Sequence, residues 1–102
     1  SLLHHLEDPR VLWQTVKESA RPGALVLVMD LARPASTTAV DGLVETYAID
    51  APEVLRRDFR NSLFAAYTIP EVQDQLSEAG LGGLTVNAVS DRHLAVQGQL
   101  PF

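Results

Sequence analysis

The chain has no cysteine. Disulfides, thiolate nucleophiles and Cys-ligated zinc are therefore excluded. The absence also suits a reducing compartment, so a cytoplasmic location is expected. Aromatic residues make up only 6% of the chain, with Trp13 the single tryptophan, so aliphatic side chains must form most of any core. Positive charge is short as well. Lys and Arg number 8 against 13 Asp and Glu, a formal net charge of -5. With no basic stripe, neither a nucleic acid nor an anionic membrane surface is expected as a partner. The longest apolar run, Ala24 to Met29, is far too short to span a bilayer. There is no internal repeat and no low-complexity tract.

What remains is 102 residues of which 46% are hydrophobic. That suits a single domain over 1–102, with enough apolar material for a core of modest stability.

Asp8-Pro9 reads as an N-cap followed by proline at the first helical position, and a helix is expected over about Pro9 to Ala20. Leu12 and Val16 repeat at i, i+4, with Val11 and Thr15 beside them, so one stripe is expected to be buried, and Trp13 reads as a core or interface residue. Lys17 lies near its C-terminus, where positive charge is favoured, and Arg21-Pro22-Gly23 stops it. The run Ala24 to Met29 is apolar at every position, which predicts a strand covered on both faces. Asp30 follows it at the carboxyl end, where open α/β sheets bind ligands. Leu31 to Ser36 is a loop. Helices are predicted over Thr37 to Ile49, with Val40, Leu43, Val44 and Tyr47 on one face, and over Pro52 to Tyr67, with Val54, Leu55, Phe59, Leu63 and Ala66. Thr68 caps a further helix to Ala79, which Gly80 ends in a left-handed conformation. Leu84 to Val89 and His93 to Gly98 read as two strands joined by the turn Ser90-Asp91-Arg92.

The segments SLLHHLEDP, RPGALVLVMDLARP, LRRDFRNSLFAAYTIPEVQDQLSEAGL and VSDRHLAVQG together resemble the C-terminal half of a class I S-adenosylmethionine-dependent methyltransferase. The resemblance implies an α/β fold: the C-terminal half of a Rossmann-like sheet. Three strands would form a small mixed sheet flanked by helices. The last, antiparallel, would insert between the other two. It also implies S-adenosylmethionine as the cofactor of the full-length family. The family's Gly-rich loop and the acidic residues that hold ribose and adenine are missing from this sequence. Gly82-Gly83 lies between a helix and a strand, the wrong context for a nucleoside cradle. The opening at Ser1, with no initiator Met, reads as a loop leaving an absent strand. The expectation is therefore a fragment or remnant that binds no cofactor alone, whether a natural half-gene or a piece of a longer protein.

His4 and His5 border the methyl-donor pocket in the resembled family, where a histidine near neutrality binds substrate or acts as a base. The competing reading has one packing and the other capping or facing solvent. As neighbours their side chains point apart, so they do not chelate one metal from a strand. Asp30 either faces substrate, caps the next turn or pairs with Arg33. Arg56, Arg57 and Arg60 form a basic patch around Asp58, read as a solvated helix face or a lid over an acidic substrate. Tyr47 and Tyr67 read as packing residues with a polar tip. Asp91, Arg92 and His93 read as a turn-stabilising cluster, with no serine or cysteine nucleophile beside them.

Two functions follow. One is a half-methyltransferase acting on a small molecule, inactive alone. Its chemistry rests on proximity and orientation rather than a fixed nucleophile. The other is an assembly module. In it, the strand edge at Ala24 to Met29 is covered by a second copy in a homodimer, or by a separate N-terminal half.

Overall fold

A computed structural model describes residues 9–100. Four helices and three strands follow one another as α1 (Arg10–Ser19), β1 (Leu25–Leu31), α2 (Thr37–Ala48), α3 (Glu53–Ala65), α4 (Ile69–Glu78), β2 (Thr85–Ala88) and β3 (His93–Gln99). The strand order is β1-β3-β2. Both ladders are antiparallel, with Val28 opposite Val96 in one and Val86 opposite Val96 in the other. β1 and β2 therefore run in the same direction on either side of β3. The sheet was expected to be mixed, yet it holds no parallel ladder, because β3 keeps β1 and β2 from touching. Among the described residues, one parallel bridge, Ala32 to Tyr67, lies outside it.

The core forms on one face of this sheet. Trp13 of α1, Val72 and Leu76 of α4, and Val86, Leu94 and Val96 of the strands are buried together with Leu81, Leu84 and Leu100. Val26 and Val28 of β1 pack against this cluster. The Trp13 indole is fully buried. Its N–H donates to Gln75 Oε1 at 3.1 Å, so the burial leaves no polar group unpaired.

Local chemistry sets the element ends. The Ser36 hydroxyl accepts from the Ala39 N–H at the start of α2. α4 opens with a capping box: Thr68 Oγ1 accepts from the Glu71 N–H and Glu71 Oε1 accepts from the Thr68 N–H. Gly80, at φ 76, takes the left-handed position after α4, as expected. Lys17 does lie in the last turn of α1. The cap expected from Asp8 lies outside the described residues.

Three expectations change. The first strand runs on through Asp30 to Leu31, because β3 is long enough to pair with both through Leu94 and His93. α3 stops at Ala65, short of the expected Tyr67, because Tyr67 leaves helical geometry to bridge Ala32. β1 is not covered on both faces either. Leu25, Leu27 and Met29 are 85%, 67% and 50% exposed, while Val26 and Val28 turn to the core. No described element shields that outer row.

The molecule is elongated, measuring 45 × 20 × 19 Å, and α2 and α3 form a helical pair between β1 and α4 in the chain. The two helices pack on each other. Val40 and Leu63 are buried, but Tyr47, Val54 and Leu55 of the expected buried faces are about half exposed. Periodicity marked an apolar stripe correctly, but only part of each stripe meets a neighbour.

Candidate functional site at the carboxyl end of the first strand

The antiparallel placement of β3 gathers the carboxyl ends of β1 and β2 and the amino end of β3 at one end of the sheet. Asp30, the Leu31–Ser36 loop, the Ser90–Arg92 turn and His93 all lie there. α2 sends Tyr47 to the same place.

Asp30 is 1% exposed. Its Oδ1 accepts the Leu31 N–H at 2.7 Å. Leu31 is itself a residue of β1, so this bond lies within the strand and not at the turn that follows it. The pairing with Arg33 does not form: Arg33 Nη2 instead contacts Glu71 Oε1 at 3.0 Å. Glu71 thus serves both the α4 cap and this ion pair. Its carboxyl is held below the ordinary value, chiefly by the Thr68 backbone N–H and further by Arg33.

Tyr47 and the β2–β3 turn form a second cluster. The Tyr47 hydroxyl donates to Asp91 Oδ2 at 2.6 Å. Arg92 Nη1 donates to Asp91 Oδ1 at 2.9 Å, and the guanidinium lies 3.7 Å from the centre of the Tyr47 ring. The hydrogen bond to Asp91 raises the Tyr47 hydroxyl above its ordinary range and lowers the Asp91 carboxyl. The expectation that Tyr47 packs with a polar tip holds for the tip alone, since the residue is 48% exposed.

A correction concerns Ser90. No nucleophile was expected beside His93, yet Ser90 Oγ lies 2.8 Å from His93 Nδ1. The same oxygen accepts the Arg92 and His93 backbone N–H groups at 3.2 and 3.0 Å. Asp91 turns to Tyr47 and Arg92 rather than to His93, so the three side chains do not form a relay. The turn-stabilising reading fits this geometry.

Arg56, Arg57 and Arg60 line a cleft of about 440 Å³ between α2 and α3, together with Asp41, Val44, Glu45 and Glu53. Arg60 reaches Asp41 at 3.4 Å and lies 5.4 Å from the Phe64 ring centre. The buried Arg56 Nε has no hydrogen-bond partner among the described residues. Acidic and basic groups balance there, so the cleft has no strong preference for one sign of charge.

His4 and His5 lie outside the described residues. Among the described residues, no group of three or more His, Asp or Glu side chains is placed to hold a metal ion. Among the described residues, no helix is long and apolar enough to cross a membrane. The Tyr47–Asp91 contact is a further part of this site that sequence reasoning missed: 44 positions separate the two residues, and no local pattern links them.

No protein-family model, curated protein or solved structure matches this chain.

Proposed function

We propose that this chain is the C-terminal half of a class I S-adenosylmethionine-dependent methyltransferase fold acting on a small molecule, and that it is inactive alone. The observation that carries this reading is the strand order. A terminal antiparallel strand, β3, lies between two strands that run the same way, with a helical insertion between β1 and β2. That arrangement is the one the resemblance implies for the end of such a sheet.

The described residues do not fit the cofactor by themselves. A nucleoside cradle needs backbone in close approach to the ligand, where a Cβ would be excluded. The paired glycines Gly82 and Gly83 follow α4 and precede β2, rather than leading from the end of a strand into a helix. Asp30, near the carboxyl end of β1, is buried, and its Oδ1 accepts the Leu31 N–H. Binding of S-adenosylmethionine therefore requires residues from elsewhere.

The test is calorimetric titration of S-adenosylhomocysteine into this chain and into the native gene product, whose intact mass is measured alongside. The expected result is no saturable binding to the 102-residue chain, and micromolar binding to a longer native product. Micromolar binding by the chain itself would overturn the inactive-alone clause. A longer native product that binds nothing would overturn the methyltransferase reading.

A second reading, the assembly module, is favoured by the open edge and exposed outer row of β1. Main-chain groups and apolar side chains are both left uncovered there. In this reading the chain functions by pairing that edge with another strand, supplied by a second copy or by a separate N-terminal half.

A further inference from the structure

The hydrogen-bond parity of β1 defines what its open edge offers. Leu100 N–H donates to Ala24 O, and Ala32 N–H donates to Arg92 O, each at 2.9 Å. Even-numbered residues of β1 therefore bond to β3, and the odd-numbered ones direct their N–H and C=O groups away from it. At the far end this edge is already sealed. The Leu31 N–H is taken by Asp30 Oδ1, and the Arg33 N–H donates to Tyr67 O. The open stretch is then Leu25, Leu27 and Met29. These are also the residues whose side chains form the exposed outer row.

We propose that this stretch pairs with the same stretch of a second copy, antiparallel about a two-fold axis at Leu27. The proposal rests on the assembly reading above and gives it a register. Leu27 would lie opposite Leu27 of the second copy, and Leu25 opposite Met29. Each of these is a position where both strands direct their main-chain groups to the partner. The side chains of the two outer rows then lie on one face of a continuous six-stranded sheet.

A second copy suits this edge for two reasons. A two-fold axis sets each residue against itself or its symmetry mate, so any charge near the axis would meet its like. The row carries none, and its neighbours across the sheet, Gln97, Gln99 and Thr85, are uncharged as well. The usual guards of a free edge are also absent. β1 has no lysine, no proline and no bulge, and its one charged residue, Asp30, is buried. The register ends without conflict, since Leu31 of one copy meets Gly23 of the other, where a positive φ of 72 turns the chain away.

Three side chains and a short strand bury an area near or below the low end of specific interfaces, about 1,200 Å² in total. A reversible dimer is therefore expected, populated at on the order of 100 μM. Each chain carries a net charge of -5, so raising the salt concentration is expected to strengthen the association by screening repulsion.

Sedimentation equilibrium of the 102-residue chain at low and high salt tests this. A monomer at all concentrations overturns the proposal and leaves the methyltransferase reading standing, since that is decided by ligand binding. Association that weakens with salt overturns it as well. Leu27→Lys is expected to abolish the dimer by placing two charges at the axis. Asn87→Lys, on the opposite edge, leaves it intact. Thermal melts check that both variants fold. The chain has no cysteine, so the register is read directly by single-cysteine variants. Under mild oxidation Leu27→Cys is expected to give a covalent dimer at least tenfold faster than Leu25→Cys. The Leu25→Cys thiols would sit four residues apart along the strands, roughly 13 Å, beyond disulfide reach. Equal rates would overturn the register.

Discussion

The Tyr47 hydroxyl donates to Asp91 Oδ2 at 2.6 Å, and this contact joins α2 to the β2–β3 turn. Because Asp91 accepts the proton's hydrogen bond, ionising Tyr47 would place two negative charges together. The Tyr47 pKa is accordingly raised above its ordinary 10.0. The stabilisation it brings is present in full below that value and is lost as pH rises through the higher folded-state value. An absorbance titration of Asp91→Asn should show Tyr47 ionising at lower pH than in the native chain. An unchanged titration would mean that the contact does not persist in solution.

Glu71 titrates with the opposite sign. Its pKa lies below the ordinary 4.5, because the Thr68 N–H and then Arg33 favour the carboxylate. Its contribution is present above that value and is lost as pH falls through the lower folded-state value. Glu71→Gln keeps much of the capping geometry but removes the charge. The variant should therefore show a smaller drop in melting temperature than the native chain when pH is lowered across this range. Thr68→Ala, which loses the cap, is expected to cost about 1 kcal/mol at neutral pH by urea unfolding.

Trp13 offers a test of the core. Truncation to alanine is expected to cost about 3–5 kcal/mol, since a fully buried indole leaves a large cavity. Gln75→Ala removes only the acceptor of the indole N–H, and a cost of about 1–3 kcal/mol is expected for the unpaired donor. Denaturant midpoints in that order would establish that packing outweighs the hydrogen bond. Equal midpoints would contradict it.

Gly98 tests the sheet. It adopts φ 147, and a Cβ there would meet Leu84 Cδ2 at 3.0 Å and the Leu84 Cα at 3.5 Å. Gly98→Ala therefore combines backbone strain with a crowded contact, and a loss of about 1–3 kcal/mol is expected from unfolding curves. Gly42→Ala, in a helix where a Cβ meets nothing within 4 Å, should instead stabilise by about 0.4–1 kcal/mol.

Features set by neighbours in sequence were the ones legible beforehand. Thr68 and Glu71 announce their cap by spacing and Gly80 its left-handed turn. The stripe read on α1 is only partly right: Leu12 and Val16 pack against the core, Val11 and Thr15 beside them are exposed, and Trp13, read as core or interface, is the fully buried residue. Asp30 showed three readings because its neighbours in sequence suit all of them, and nothing in the sequence announces that Arg33 pairs with Glu71 instead. β1 was misread for a different reason. An apolar residue at every position looks alike whether its outer face is covered within the chain or left open, so the pattern signals burial without saying what provides it. The bridge between Ala32 and Tyr67, which shortens α3, depends on how the helical pair returns to the sheet. Helix periodicity holds no trace of that return.

The central position of β3 also governs when this molecule can fold. Leu25 waits for Gln99, and Thr85 waits for Gln97, so neither flanking strand has a hydrogen-bonded neighbour until the final strand arrives. During synthesis α1 and α4 are complete well before the surface they pack on exists. Long-range strand pairing of this kind is slow, because a long loop must close before any contact rewards it. A chain halted short of His93 would leave β1 unpaired along both edges, and it is there that chaperone dependence and premature aggregation should concentrate.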